Sequence, residues 1–288
     1  MTEITNVSNV VFLNVWGHRH HKLLERYIKE KMTAGVDIFC FTEVTHTKVR
    51  YKTIPRVYMG LSRGEPPASI NGLEQLINLM SKDYYLVYDS PENKKWTCRK
   101  TGTEFPSVGF GSAMIYQLEL KVIATKRAFI CKKIPGVNHR VMQWIVYEKG
   151  GIRYLVAHLH GVWIAHNTKG DDHARDRQSH EIRENLRRLA DKYSVDKVVF
   201  GGDLNLAIDT DALAALTREG GNQVLSRNLV VEGQIESTRT RHYREYGKPN
   251  KSQHADYVLT SSGVLVHDFQ VENEKLASDH APLVISFS

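Results

Sequence analysis

The chain has 288 residues, 41% hydrophobic and 25% charged, enough apolar material for a substantial core in a soluble globular protein. No segment approaches 18 uninterrupted apolar residues, and the N-terminus has no basic stretch leading into a long apolar one, so the expected location is cytoplasmic with no membrane span. Lysine plus arginine exceed aspartate plus glutamate, 39 to 32, giving +7 and favouring a polyanionic partner such as nucleic acid or an anionic membrane face, although the excess is not gathered into a binding tail.

In chain order, short apolar runs predict strands over residues 9–15, 36–41, 84–88, 111–116, 141–147, 152–160, 197–200, 255–260 and 283–287. Leu24, Ile28 and Met32 recur at helical spacing before the capping Gly35; Leu73, Leu76, Ile77 and Met80 form a second stripe, and Ile182, Leu186 and Leu189 a third. Residues 51–69, 90–108, 166–179 and 238–252, rich in charge, Gly, Pro or Asn, are expected to be long loops. The three cysteines, Cys40, Cys98 and Cys131, are odd in number and lack metal spacing, so a disulfide framework is not expected and Cys40 reads as a buried free thiol. Many strands, some joined by hairpins and some by helices, predict mixed sheets covered by helices.

Polar residues interrupt these strands in a pattern. Gly201-Gly202-Asp203-Leu204-Asn205 follows the apolar Val198-Val199-Phe200, and glycines there let the chain turn so that a carboxylate and a carboxamide converge. Asp256 stands in the apolar Ala255-Asp256-Tyr257-Val258-Leu259, where an unpaired charge would be costly unless it met a partner such as histidine. Asp279 and His280 sit just before the last strand, Glu43 ends the second, Asn14 interrupts the first, and His160 closes the strand that begins at Ile152. Taken singly, each is most simply a strand-end hydrogen bonder, a solvated terminus, a core histidine or a structural acid.

Taken in order, they resemble the endonuclease/exonuclease/phosphatase superfamily, which includes DNase I, AP endonucleases, deadenylases, sphingomyelinases and inositol-polyphosphate phosphatases. The resemblance rests on N-x-W-G at Asn14, T-E at Glu43, L-H-G at His160, G-D-L-N at Asp203, A-D-Y-V-L at Asp256 and S-D-H at Asp279 and His280, spanning nearly the whole chain. It implies an α/β (α+β) four-layer sandwich, with two packed mixed sheets flanked by helices in one domain over residues 1–288. It also implies Mg²⁺ or Mn²⁺ held by Glu43, helped by Asn14, with Asp279 joining that shell or binding a second ion. Asp203 resembles the group that orients or deprotonates the attacking water, and Asn205 the one that holds water or a phosphate oxygen. Asp256 and His280 resemble the family's acid–histidine dyad, and His160 its second histidine. His158, two residues earlier on the same strand face, is the competing candidate for that position.

The chain lacks the asparagine loop of AP endonucleases at His160, the Trp-Cys-Asp-Arg block of inositol phosphatases near Asp256, and the leucine-rich repeats of deadenylases; it resembles small bacterial members of unassigned substrate. Arg239 and Tyr243, in a segment mixing arginine with aromatic rings, suit phosphate contact plus base stacking, as do Lys94-Lys95-Trp96 with Arg99-Lys100. Arg140 is a further candidate for phosphate. His18, Arg19, His20 and His21 lack a cysteine or a well-spaced acid, so they read as a solvated helix start near the active-site rim rather than a zinc site. Three functions follow: a metal-dependent nuclease with nucleic acid as substrate, a phosphatase or phosphodiesterase for a small molecule or lipid headgroup, and a non-catalytic binding module. The last is disfavoured because no core position of the constellation is replaced.

Overall fold

The computed structural model describes residues 6–47, 56–57, 68–80, 82–90, 93–97, 104–131, 140–164, 169–218, 224–246 and 253–288. Its first sheet contains β1 (Ser8–Asn14), β2 (Ile38–Thr47), β5 (Tyr84–Asp89), β6 (Asn93–Thr97), β7 (Glu104–Gln117), β14 (Val266–Val271) and β15 (Leu283–Phe287), in the order β14-β15-β1-β2-β7-β5, with β6 also on β7. The second contains β8 (Lys121–Ile130), β9 (Arg140–Lys149), β10 (Ile152–Leu159), β11 (Lys197–Asp203), β12 (Arg227–Asn228) and β13 (Asp256–Thr260), in the order β12-β13-β11-β10-β9-β8. The two-residue strands β3 (Arg56–Val57) and β4 (Ala68–Ser69) pair separately. Both large sheets are mixed: β1 runs parallel to β2 and β10 parallel to β11. Parallel neighbours need a crossover, and α1 (His21–Thr33) and α3 (His173–Tyr193) supply the two.

Alternation along the strands builds the layers. Val10, Phe12, Ile38, Cys40, Ile145, Tyr147, Tyr154, Val156 and Val199 face one another between the sheets. Their neighbours Val11, Leu13, Phe39 and Phe41 point outward onto Leu24, Tyr27 and Ile28 of α1 and Leu73 and Leu76 of α2 (Gly72–Leu79). On the other side, Trp144, Val146, Leu155, Ala157, Val198 and Phe200 face Ile182, Leu186 and Leu189 of α3. Three cores between four layers follow from period-2 patterning in strands buried on both faces. Antiparallel pairing of β1 with β15 brings the two ends of the chain into one sheet. Short α4 (Asp211–Ala214) packs on α3, α5 (Leu229–Glu232) packs on β12 and β13, and α6 (Arg241–Tyr246) stacks His242 on His20.

Several expectations need correction. The strand expected over 36–41 continues to Thr47, and β7 begins at Glu104, so with β6 it takes up part of the expected loop 90–108. From His173 onward the expected loop 166–179 is helical, because the Asp172 side chain accepts from the Arg175 N–H (2.9 Å) and caps α3. The expected loop 238–252 contains α6, and the described part of 51–69 includes β3 and β4. Ile77 is exposed rather than packed with Leu73 and Leu76. Cys40 and Cys131 are buried and free, while Cys98 lies outside the described residues. Lys94, Lys95 and Trp96 lie on β6, but their side chains, like those of Arg99, Lys100 and Arg244, fall outside the described set. The histidine run is not a solvated helix start: α1 begins at His21, and His18 and Arg19 are buried. His18 fills the space over Gly72, where an added Cβ would lie 2.2 Å from its ring.

Candidate active site

Each polar position is delivered by a strand end. Asn14 is the last residue of β1, on the same face as Val10 and Phe12. Glu43 is the extra residue of a β-bulge between Thr42 and Val44, with φ of 59°. A bulge of this kind re-aims one side chain out of the ladder, and a non-glycine residue in the left-handed region carries strain that the surrounding structure must sustain. Asp203 ends β11, where Gly202 (φ 124°) passes so close to β10 that a Cβ would lie 2.5 Å from the Leu159 carbonyl oxygen. Asn205 (φ 54°) is turned by its own N–H donating to Asp203 Oδ1 at 3.0 Å.

The side chains converge around Asp203. Asn14 Nδ2 donates to Asp203 Oδ2 at 3.0 Å, while Asn14 Oδ1 accepts from the Trp16 N–H at 2.9 Å. His160 Nε2 lies 3.6 Å from Glu43 Oε1 and 3.8 Å from Asp203 Oδ2, bridging the two sheets. His280 Nδ1 is 2.8 Å from Asp256 Oδ2, and its Nε2 is 3.7 Å from Asp203 Oδ2 and 3.9 Å from Asp279 Oδ1. Thr238 Oγ1 donates to Asp256 Oδ2 at 3.2 Å, which fixes the carboxylate. Backbone bonds from Thr240 N–H to Asp279 O and from Ala281 N–H to Thr238 O lay segment 238–240 beside 279–281. Arg239 is thereby held against His280 Nε2 and 4.0 Å from Asp279 Oδ2, with its guanidinium 4.5 Å from the centre of the Tyr243 ring. Arg140 begins β9, close enough to His160 to depress its basicity.

Charge is concentrated here and largely removed from water. Burial pushes the Glu43 carboxyl up to about 7, with Asp279 and Asp203 adding to the rise and His280 and the Asn14 amide opposing it. Burial raises Asp203 as well, but His280, His160, Arg239 and Lys169 outweigh it and hold the group below the ordinary carboxylate range. Burial and Arg140 keep His160 neutral, at about 3. His280 moves the other way: burial and Arg239 disfavour its charge, yet Asp256, Asp279 and Asp203 raise it above its ordinary value.

Every expected catalytic and metal position, Asn14, Glu43, His160, Asp203, Asn205, Asp256, Asp279 and His280, comes to this one edge, through direct contacts or through the charge each exerts on its neighbours. His158 does not. It is wholly buried between the sheets, its Nε2 2.9 Å from Gln143 Oε1, whereas His160 faces Glu43 and Asp203. Ligand atoms of Glu43, His160 and Asp203 lie within 4.8 Å of one another, and so do those of Asp203, Asp256 and His280. A set rich in carboxylate oxygen, with one acid driven up by burial and its like-charged neighbours, fits a hard divalent cation.

Two contributors were not anticipated. Gln178 of α3 accepts from the Val162 N–H (2.6 Å) and donates to Leu204 O (3.1 Å), tying the strand end that carries His160 to the loop that carries Asp203. Lys169 has its carbonyl on the Ala207 N–H at 3.0 Å and its Nζ on His254 O at 3.2 Å, near enough to Asp203, Asp256 and Asp279 to feel their charge. Burial, then Arg239, lowers its ammonium to about 8. Gln178 is a buried polar residue within a helix, and its amphipathic misfit was the one available signal.

The sequence matches the Endonuclease/Exonuclease/phosphatase family over residues 11–280, and the chain belongs to that family. Members of this family are hydrolases of phosphoester bonds and generally use divalent metals. Among solved structures the fold is similar to the human Nocturnin catalytic domain with bound sulfate (17% identity, TM-score 0.64, covering 98% of this chain and 93% of that one). It is similar also to the Bacteroides thetaiotaomicron mannosyl-6-phosphatase Bt3783 (14%, 0.65, 98% and 99%). A third is D. rerio TDP2 complexed with a single-strand DNA product (14%, 0.65, 98% and 99%). No curated protein sequence matches the chain. None of the described helices is long and apolar enough to cross a membrane.

Proposed function

We propose that this protein is a divalent-metal-dependent phosphodiesterase acting on nucleic acid, with the cluster around Asp203 as its active site. The observation that carries the reading is the joining of two buried acid–imidazole sets through one carboxylate: Asp203 Oδ2 lies 3.8 Å from His160 and 3.7 Å from a His280 that is itself paired with Asp256. Glu43, with Asn14 and Asp279, would hold Mg²⁺ or Mn²⁺, which when bound draws negative charge from the phosphate oxygens as a Lewis acid.

In this reading Asp203 orients the attacking water and Asn205 steadies the water or a phosphate oxygen. Asp256 fixes the His280 tautomer and sustains its charged form, which opposes the negative charge growing on phosphorus. His160, held neutral, donates a hydrogen bond to the phosphate or the leaving oxygen. The water oxygen bonds to phosphorus as the ester P–O bond breaks; Asp203 takes the proton that the attacking water loses, and the leaving oxygen takes one from solvent, giving an alcohol and a phosphate monoester. Arg239 and Tyr243, stacked on each other, with Arg140 nearby, bind the substrate phosphates.

Nucleic acid is favoured by the net charge of +7, and a solved relative carries a single-strand DNA product. The alternative, a small-molecule phosphate, has its own support in the similar fold of a mannosyl-6-phosphatase. Turnover measured with Mg²⁺ on single-stranded and double-stranded DNA, RNA, a bis-aryl phosphodiester and phosphomonoesters separates them. Hydrolysis of oligonucleotides that weakens steeply with salt supports the first reading; turnover confined to monoesters and indifferent to salt overturns it.

A further inference from the structure

The segment leaving His160 is anchored firmly and then presents an aromatic ring to solvent. The Gly161 N–H donates to Asp203 O at 2.6 Å, and a Cβ on Gly161 would lie 2.2 Å from Leu204 O, so the chain here lies directly on the loop bearing Asp203. Val162 is buried and its N–H is held by Gln178. With 161 and 162 pinned inward, Trp163 turns out, 60% exposed and with no ring partner among the described residues. Three residues of chain span at most about 11 Å, so this indole stands on the rim of the site within reach of a group joined to a phosphate at His160. Exposed aromatic surface of this size, rooted in rigid backbone, is a stacking platform that needs little ordering on binding.

A second observation at the same rim points to an anionic ligand. Lys169 adopts φ of 71° and rests on the Asp203 loop through Ala207, so positions 161 and 169 both abut the stretch 203–207. Its ammonium hydrogen-bonds a neutral carbonyl, His254 O, instead of closing on one of the nearby carboxylates. A cation so placed keeps donors for a phosphate oxygen.

We propose that Trp163 and Lys169 form a nucleotide subsite, with the base next to the scissile phosphate stacking on Trp163 and the phosphate facing Lys169. This rests on the phosphodiesterase reading and names what its substrate carries. A base suits the rim better than a sugar does. Tyr243 under Arg239 supplies a second ring and a second cation, and a nucleotide chain offers a flat ring and a charge at every unit, whereas a single sugar phosphate offers one charge and no aromatic face.

The test is binding by the full chain carrying D203N, with Mg²⁺ present, to a labelled oligothymidylate and to an abasic oligomer of equal length and charge. W163A should weaken oligothymidylate about tenfold while leaving the abasic oligomer unchanged, and W163F should retain most of the affinity. K169M should weaken both oligomers alike and lower the salt slope by about one. Equal effects of W163A on both oligomers, no effect on either, or no oligomer binding by D203N would overturn the subsite. So would a loss confined to competition by mannose 6-phosphate, which would give the ring to a sugar. Wild-type turnover of a bis-aryl phosphodiester is scored separately: if it and every other phosphoester go unhydrolysed, the enzymatic reading fails while the binding comparison still decides the subsite.

Discussion

The space between the sheets and the edge where the same strands emerge are built on one alternation with opposite chemistry. On β1 the inward positions run Val10, Phe12, Asn14; on β10, Tyr154, Val156, His158, then His160 just past its end; on β11, Val199, Gly201, Asp203. Inside, these positions are sealed and, apart from His158, apolar. At the edge they are acids, amides and imidazoles that are nearly as buried but joined by hydrogen bonds and opposed charge. Burial has opposite consequences in the two places. In the core it stabilises, because apolar surface leaves water. At the edge it costs, and the cost appears as a Glu43 carboxyl pushed up to about 7 and a His160 held down at about 3. A protein tolerates such a region where the stored cost serves chemistry, which is why the strained backbone of Glu43 and Asn205 gathers here as well.

The largest contrast between the two regions should come from removing the cation. EDTA is expected to abolish phosphodiester hydrolysis, Mg²⁺ or Mn²⁺ to restore it and Zn²⁺ to substitute poorly, while circular dichroism stays unchanged because the interior does not depend on the ion. Full turnover after exhaustive chelation would remove the metal from the scheme. In the opposite direction, Phe12→Ala empties part of the inter-sheet core and should cost about 3–5 kcal/mol of unfolding free energy. Turnover per folded molecule should change little, as measured by denaturant titration alongside activity; a large kcat loss in the folded variant would mean the regions are coupled more tightly than their packing implies.

Next in size is the dyad at the edge. Asp256→Asn should leave the fold in place and lower kcat by roughly a hundredfold or more, the usual scale of acid–base assistance. His280→Ala should cost at least as much, and the double variant little beyond it, since two groups acting as one unit are not additive. Additive losses would return Asp256 to a purely structural role.

The polar breaks in otherwise apolar strands were legible as letters, because an acid in a buried strand is expensive and needs a partner. Asp256 has that partner in His280, 24 positions away. The interior strands were legible for the same reason: they are buried on both faces, so their apolar runs are continuous. The edges were not. In β8, Lys121, Ile123, Lys126 and Arg127 are exposed, and β14 exposes His267, Asp268 and Gln270, so neither strand has the apolar run that marks a buried one. The start of α3 was hidden because its inward face carries Arg175, Gln178 and Ser179 in place of an apolar stripe; Arg175 bonds Asp172 and Gly170 O, and Gln178 bonds Val162 N–H and Leu204 O. The bulge at Glu43 and the left-handed turn at Asn205 are backbone events with no glycine to announce them.

The smallest expected effect separates His158 from His160, two residues apart on one face. His158 belongs to the interior: it is wholly buried, bonded to Gln143, and burial holds its imidazole near 3. An unfolded histidine takes up its proton at about 6.5, whereas the folded one here does not. Between those two values the unfolded state binds one more proton, so stability is full above about 6.5 and falls as the pH drops, by about 1.4 kcal/mol per pH unit for this one group. His18, held near 3 by burial and by His21, and His160, held near 3 by burial and Arg140, add contributions of the same kind and leave the sign unchanged. His158→Gln should therefore flatten the loss of unfolding free energy between pH 6 and pH 4.5 by about 1.4 kcal/mol per unit, and should leave kcat per folded molecule near that of the wild type. A slope identical to the wild type would mean that His158 titrates in the folded protein and is not sealed in the core. A hundredfold fall in kcat with the slope flattened would move His158 from the interior to the site, and the register that favours His160 would have to be redrawn.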